Sequence, residues 1–363
     1  ARSGSVTFSG TNQQIRGETT FYNLTKNTTG TDTLTFEAGK KQTISTQLNL
    51  AGASSSQKLS LLSSQDNTRW QIEYQGGGSP TLNYLLVKDS ESIGATLSPT
   101  NSFSLGNNSG WDFGGLTLYW IASSSTNWNS ASNWSTTSGG SAGSSVPGAN
   151  DTAIFDDKKN GDCTLDTTVT VDTLTLSGYT GTLNTASYDL SITTDLSIAS
   201  GTLTVGSGKI LAVDGTLTVS GGTLDARGGE IDANDISLAG GEIKAPSPGA
   251  FSVSGDWTNS GGLFTPGTGE VIFTGGGPAT IDVNSSETFY DLIFEKDDGI
   301  TISLAAGDTI KAARTVTFSN GKVDAETGAK IEAQRDVYVY STFDGGTAPL
   351  YFTGTANQDF DLT

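Results

Sequence analysis

Apolar residues recur about every seventh position between residues 183 and 243, and glycines punctuate the turns between them. The positions are Leu183, Leu190, Leu196, Leu203, Ile210, Leu217, Leu224, Ile231, Leu238 and Ile243. A coiled coil has the same period, but glycines such as Gly201, Gly221 and Gly222 would destabilise a helix. Runs such as residues 202–205 instead alternate polar and apolar residues, as half-buried strands do. Each seven-residue repeat therefore predicts one short strand and one turn.

Three such seven-residue repeats make one coil of about 20–21 residues. Inward positions then recur one coil apart, as in the sets Leu196, Leu217 and Leu238; Leu203 and Leu224; and Ile210 and Ile231. This spacing predicts an all-β fold, a right-handed parallel β-helix (β-solenoid) with a β-rich N-terminal module. A β-sandwich built from hairpins is the alternative, because seven-residue strand and turn units also suit a meander.

Internal repeats divide the chain further. Residues 269–275 match residues 4–10, residues 289–292 match residues 21–24, and residues 350–354 open a third copy. We therefore predict a β-rich repeat module at 1–117, a Trp-rich cap or entry segment at 118–160, and the regular solenoid at 161–268. Residues 269–363 would be a second copy of the N-terminal repeat type, with a truncated third copy from about 349.

Tryptophans are concentrated near the predicted start of the solenoid. Trp120, Trp128 and Trp134 lie within 15 residues, and Trp111 precedes them closely. Two interpretations are open. The indoles could seal the first coil, because a stacked array needs an atypical terminal repeat, or they could stack on sugar rings. Sealing predicts buried indoles, whereas carbohydrate binding predicts exposed and coplanar ones.

The charge and the residue types exclude several classes of function. A net charge of -19 repels phosphate backbones, so we expect no nucleic-acid partner. Without histidine, Ser-His-Asp triads and the usual zinc sites cannot form, and the lone Cys163 reads as a buried strand residue. The acidic residues predict solvated turns, with loose calcium binding as the alternative; we expect no other cofactor.

We expect no enzymatic activity. Polysaccharide-degrading β-helices use two acids across a groove, and the visible candidates are Asp156 with Asp157 and Asp297 with Asp298. Adjacent residues of a strand or turn tend to point apart, so a polysaccharide-degrading enzyme is the least favoured of three functions considered. The sequence contains no 18-residue apolar run, so we expect no membrane span. It also lacks a leader and methionine, so we expect the start codon and any signal peptide to lie elsewhere.

Two segments resemble modules of very large secreted or surface-displayed bacterial proteins, and together they cover under a quarter of the chain. The first runs through residues 119–156 and carries Tyr119-Trp120, Asn127-Trp128, Asn133-Trp134-Ser135, Val146-Pro147 and Ile154-Phe155-Asp156. The second extends from Val87-Lys88-Asp89-Ser90 to Trp111-Asp112-Phe113. The coils between them are similar to the solenoids of filamentous haemagglutinins and autotransporter passengers. The resemblance implies an exported adhesive or structural repeat protein and supplies no catalytic residues.

The leading hypothesis is a non-enzymatic extracellular or cell-surface structural protein, a segment of a long fibre or self-assembling filament. Its partner would be itself, head to tail or as tandem repeats, because exposed sheet edges pair readily. The predicted assembly residues are Val6, Phe8, Leu350, Phe352 and Phe360. The second hypothesis is an adhesin that binds surface glycans through Trp111, Trp120, Trp128 and Trp134.

Overall fold

The computed structural model describes residues 3–54, 57–143 and 145–363, and it divides into two compact units between Gly114 and Gly115. The first unit ends three residues before the predicted module boundary. The segments predicted at 118–160, 161–268 and 269–363 all lie in the second unit. Their separate identity as modules stays a prediction.

The first unit consists of eleven described strands in two parallel sheets. The strands are β1 (Ser5–Thr7), β2 (Gln13–Ile15), β3 (Thr19–Asn27), β4 (Asp32–Phe36), β5 (Lys41–Ala51), β6 (Leu59–Ser63), β7 (Trp70–Tyr74), β8 (Thr81–Asn83), β9 (Leu85–Val87), β10 (Ser90–Ser92) and β11 (Phe103–Ser104). One sheet has the order β1-β3-β5-β7-β10, with β8 paired to β5, and the other has the order β11-β9-β6-β4-β2.

This N-terminal unit, expected only to be β-rich, is itself built of stacked parallel coils. Each strand pairs with a strand of the next coil, and inward side chains such as Leu24, Leu34 and Leu48 are buried. The coils differ in length: 18 residues separate Ser5 from its partner Asn23, whereas 30 separate Lys41 from its partner Gln71. The uneven length hides the repeat from periodicity analysis.

The second unit begins with an irregular coil. Its elements are β12 (Thr117–Trp120), β13 (Thr126–Asn127), a 3-10 turn (Ala131–Asn133), β14 (Trp134–Ser135) and β15 (Thr152–Phe155). Strand β14 pairs antiparallel with β12, whose other edge pairs parallel with β15. Within this unit, an antiparallel strand therefore covers the first edge of a parallel stack.

Regular coils follow with three strand segments each. These are β16 (Cys163–Thr164), β17 (Val169–Val171), β18 (Thr173–Leu176), β19 (Thr182–Asn184), β20 (Leu190–Ile192), β21 (Leu196–Ile198), β22 (Thr202–Thr204), β23 (Ile210–Val219), β24 (Thr223–Asp225), β25 (Glu230–Leu238), β26 (Glu242–Lys244), β27 (Ala250–Val253), β28 (Trp257–Asn259) and β29 (Leu263–Thr265).

The stack continues through longer strands to its last coil. They are β30 (Glu270–Gly275), β31 (Ala279–Val283), β32 (Ser286–Lys296), β33 (Thr301–Leu304), β34 (Thr309–Ala325), β35 (Lys330–Ala333), β36 (Asp336–Val339), β37 (Phe343–Gly345), β38 (Leu350–Phe352) and β39 (Phe360–Leu362). One large sheet contains most strands of the unit, and a seven-stranded sheet contains β13, β16, β19, β22, β24, β26 and β29.

The strand pairings confirm the β-solenoid and exclude the sandwich of hairpins. Leu196 pairs with Leu217 and Leu203 with Leu224, in parallel and one coil apart. Parallel pairing requires a connection that returns to the same end of the strand, which a solenoid turn supplies and a hairpin does not. The predicted seven-residue repeat therefore corresponds to strands that pair in parallel.

Two predicted ladder positions are wrong by a small shift of register. Ile210 is outward and 41% exposed, whereas its neighbour Leu211 is buried and pairs with Ile231. A β-bulge between Val213 and Thr216 then shortens the next coil, so Leu217 pairs with Ile236 rather than with Leu238. A one-residue slip in a strand moves a side chain to the opposite face.

Candidate functional site

The last coil of the second unit exposes side chains at positions that face the core elsewhere. Phe352 is 44% exposed, Phe360 54% and Leu362 72%, although their strands continue the inward ladder from β35 and β36. The rings of Phe352 and Phe360 lie edge to face with centroids 6.0 Å apart. Leu350 is half-buried. Three of the predicted assembly residues thus lie together on one end coil.

The first coil of the N-terminal unit is also an open edge. Strand β1 pairs with β3 alone among the described strands, and all three of its residues are exposed. Val6 is 42% exposed, and Phe8 is half-buried against the core of this unit. These are the other two predicted assembly residues. A free strand edge presents unpaired backbone N–H and C=O groups, which accept a further strand.

The tryptophan cluster of the second unit is buried. Trp120, Trp128 and Trp134 have almost no exposed surface, and the ring of Trp134 meets the other two edge to face at 5.2 and 4.6 Å. Phe155 of the next coil packs against all three. Carbohydrate stacking needs an exposed flat ring, so the prediction that these three indoles bind glycans is wrong. They seal the first coil.

Trp111 belongs to the N-terminal unit and is half-buried. Its indole Nε1 donates to Ser90 Oγ at 2.9 Å, its ring stacks with Phe113 at 5.9 Å, and its edge approaches Trp70 at 6.4 Å. These contacts hold the ring against the end of the core. The structure therefore places Trp111 in a different unit from Trp120, Trp128 and Trp134.

Many acidic side chains accept hydrogen bonds from the neighbouring coil. Three of these aspartates lie at the same turn in different coils. Asp195 Oδ1 accepts from Thr216 N at 2.9 Å, Asp235 Oδ1 from Asp256 N at 2.8 Å, and Asp256 Oδ1 from Thr280 N at 2.7 Å. Such bonds satisfy backbone donors where the chain turns away from the sheet, and charge strengthens them. We call these three residues the aspartate brackets. Some acidic side chains therefore stabilise the turns, in addition to those that are only exposed to solvent.

The paired acids occupy turns. Asp156 accepts from Lys158 N at 2.9 Å, and Asp157 forms an ion pair with Lys158 Nζ at 2.8 Å. Asp297 and Asp298 are exposed. Within residues 3–54, 57–143 and 145–363, no group of three or more His, Cys, Asp or Glu side chains is placed to hold a metal ion. Burial raises the pKa of the Cys163 thiol, which suits the structural role predicted for it.

Sequence reasoning missed several buried charges, among them Lys26, Asp32 and Lys296. Lys26 Nζ lies 2.7 Å from Asp32 Oδ2 and donates to Gly10 O at 2.7 Å, which fastens the first coil. Burial alone would raise the pKa of Asp32, but the bonds from Lys26 and two backbone N–H groups hold it below its usual value. Lys296 Nζ donates to Ser254 O at 2.6 Å. Alternation could have flagged Lys26, which shares the inward parity of Leu24.

The geometry defines a β-solenoid protein, with stacked parallel coils in each of two compact units. No family model matches this chain, no curated protein is similar to it at a significant level, and no solved structure matches its fold significantly. In the part of the chain that the structure describes, no helix is both long enough and apolar enough to cross a membrane.

Proposed function

We propose that this chain is a non-enzymatic structural segment of an extracellular fibre, in which coils stack end to end, either as tandem repeats of one chain or from one copy to the next. The observation that carries the proposal is the continuous stack of parallel coils, in which inward side chains are buried wherever a further coil covers them, whereas Phe352, Phe360 and Leu362 of the last described coil are exposed. Each would be covered if another coil stacked on this edge, because parallel coils bury their inward positions mutually. The resemblance to surface-displayed bacterial repeat proteins supports a location outside the cell.

The burial of apolar area would drive this association, and charge would oppose it. Copies with a net charge of -19 repel one another at low ionic strength. Salt screens that repulsion, with a Debye length near 10 Å at 0.1 M. Assembly through an apolar end coil should therefore strengthen as salt is added, whereas assembly through ion pairs would weaken.

Electron microscopy and light scattering of purified protein, at several concentrations and salt levels and with or without a calcium chelator, test the proposal. We expect filaments or end-to-end oligomers that the double variant Phe352→Asp/Phe360→Asp abolishes. Leu263→Asp is the matched control, because Leu263 is an exposed, outward-facing residue in the middle of the stack. Single particles of uniform size under all conditions would refute self-assembly, and loss of filaments on chelation would show that calcium takes part.

A further inference from the structure

A groove follows one corner of the regular solenoid in the second unit. Its volume is about 760 Å³, which lies within the roughly 300–1,000 Å³ typical of ligand pockets. Side chains from four successive coils line it, beginning at Asn184, continuing through Thr204 and Asp225, and ending at Ser247. Each of these coils is covered by another coil on both sides, so the groove is a feature of the regular stack.

The floor of the groove repeats from coil to coil. Asn184 pairs with Thr204, and Thr204 pairs with Asp225, in the parallel strands β19, β22 and β24. Neighbouring strands lie about 4.8 Å apart, so these outward side chains form a straight row along the stack. One sugar ring of an extended glycan advances by a similar distance. Successive rings of one glycan chain can therefore meet equivalent positions in successive coils.

The side chains of the floor retain unused hydrogen-bonding groups. Asn184 Oδ1 accepts from Ala186 N at 2.8 Å, which leaves its Nδ2 donors available. Among the residues that the structure describes, none forms a hydrogen bond with the Thr204 hydroxyl. Arg227 binds the two oxygens of Asp225 through Nε at 2.9 Å and one terminal nitrogen at 2.7 Å, and its other terminal nitrogen points to no acceptor. The floor thus offers both donors and acceptors.

The wall of the groove is a rigid turn with small side chains. Thr185 is fully buried, and its Oγ1 accepts from Gly206 N at 2.9 Å. A Cβ at position 206 would lie 1.7 Å from Ala186 O, so only glycine lets the two turns pack this closely. Ser207 and Gly228 complete the wall. A groove that is already formed loses little conformational entropy when a ligand binds.

The charges in the groove offset each other, and its lining has little exposed apolar surface. Hydrogen bonds from Arg227 hold the pKa of Asp225 below its usual value, so the two side chains form an ion pair at neutral pH. Asp225 would repel an anionic ligand, and Arg227 a cationic one. No aromatic ring lies among the described lining residues, and Val205 is only 2% exposed. The lining therefore suits a neutral ligand that is rich in hydroxyl groups.

We propose that this groove binds a neutral, extended glycan whose long axis follows the stack of coils. Asn184 Nδ2 and Arg227 donate hydrogen bonds to oxygens of the glycan, Asp225 accepts from its hydroxyl groups, and the Thr204 hydroxyl does either. One copy of the chain contains the whole groove, so binding does not depend on the proposed end-to-end stacking. Glycan recognition would then use hydrogen bonds on the solenoid face rather than the buried tryptophans.

Isothermal titration calorimetry of the full chain with oligosaccharides of two to six sugars tests the proposal. The neutral probes are cello-, manno- and N-acetylated chito-oligosaccharides, and oligogalacturonates of the same lengths are the anionic probes. We expect at least one neutral series to bind, with an affinity that rises with length and levels off at about four sugars, one for each coil. Galacturonates should bind at least about tenfold more weakly, because their carboxylates approach Asp225. Absence of binding by every neutral series, affinity independent of length, or equal binding of galacturonates would overturn the proposal.

Two pairs of variants locate the binding site. Ser207→Trp places a large side chain in the groove and should abolish binding, whereas Ser220→Trp, at an exposed turn outside the groove, should not. Thr204→Val removes one hydroxyl and should weaken binding about fivefold, whereas Thr218→Val, on a different sheet, should leave it unchanged. Circular dichroism checks that all four variants are folded. Full binding by folded Ser207→Trp, or an equal loss in Ser220→Trp, would place the glycan elsewhere and overturn the assignment.

Discussion

Glu287 provides a quantitative test of the packing between coils. Its side chain is buried in β32, and Asn259 Nδ2 donates to its Oε2 at 2.5 Å. The orientation of the Asn259 amide is determined by its Oδ1, which accepts from Gly261 N and Gly262 N at 3.1 and 3.0 Å. Burial raises the pKa of Glu287 from 4.5 to about 7, despite the hydrogen bond from Asn259.

The sign and the size of the effect follow from this pKa. The folded protein holds the Glu287 proton more tightly than the unfolded chain, so the contribution of Glu287 to stability is fully present below pH 4.5 and is lost as pH rises through about 7. One pKa unit corresponds to about 1.4 kcal/mol, so the complete loss is about 3 kcal/mol. Glu287→Gln keeps the shape and an acceptor for Asn259 but removes the charge. We expect the variant to be about 3 kcal/mol more stable than the wild type at pH 8 and equally stable at pH 4.

Urea unfolding of both proteins at pH 4, 6 and 8, followed by tryptophan fluorescence and circular dichroism, measures this difference. Burial also raises the pKa of the nearby Asp308, but that contribution occurs in both proteins and cancels. Glu295→Gln in the same strand is the control, because Glu295 is exposed and its removal should leave the pH dependence unchanged. A Glu287→Gln effect on stability that is equal at pH 4 and pH 8 would refute the argument.

Two further predictions concern the cap and the aspartate brackets. Trp134→Ala should lower the free energy of unfolding by about 3–5 kcal/mol, the usual cost of truncating a buried tryptophan. Tyr340→Ala, at a half-exposed position, should cost far less. Equal midpoints of urea unfolding for the two variants would contradict the sealing role of Trp134. Asp235→Ala removes the acceptor for Asp256 N and should cost about 1 kcal/mol, while the exposed Asp214→Ala in the preceding coil should change little. Thermal unfolding of this pair checks the bracket, which an equal effect of the two changes would disprove.

Local pattern was sufficient to predict the regular coils. Nine of the ten recurring apolar residues between positions 183 and 243 are buried, and only Ile210 is exposed. Alternation specifies which side of a strand is apolar, and glycine marks the turns, so both signals lie within a few residues. The internal repeat was also visible, because matching segments such as 289–292 and 21–24 need no structure to compare.

Register, burial of the tryptophans and the buried charges depended on contacts between residues far apart in sequence. Neither the register that places Leu211 rather than Ile210 inward nor the partner that lets Lys26 be buried is marked by local composition. From the sequence alone, the indole of Trp120 could have been exposed to bind sugar or buried in the core. Its contact with Phe155 of the next coil places it in the core. The sequence alone therefore determined the coil and its repetition, since these follow from alternation and turn chemistry. Stacking decided which side chains are covered and which remain exposed, because burial is a property of neighbouring coils.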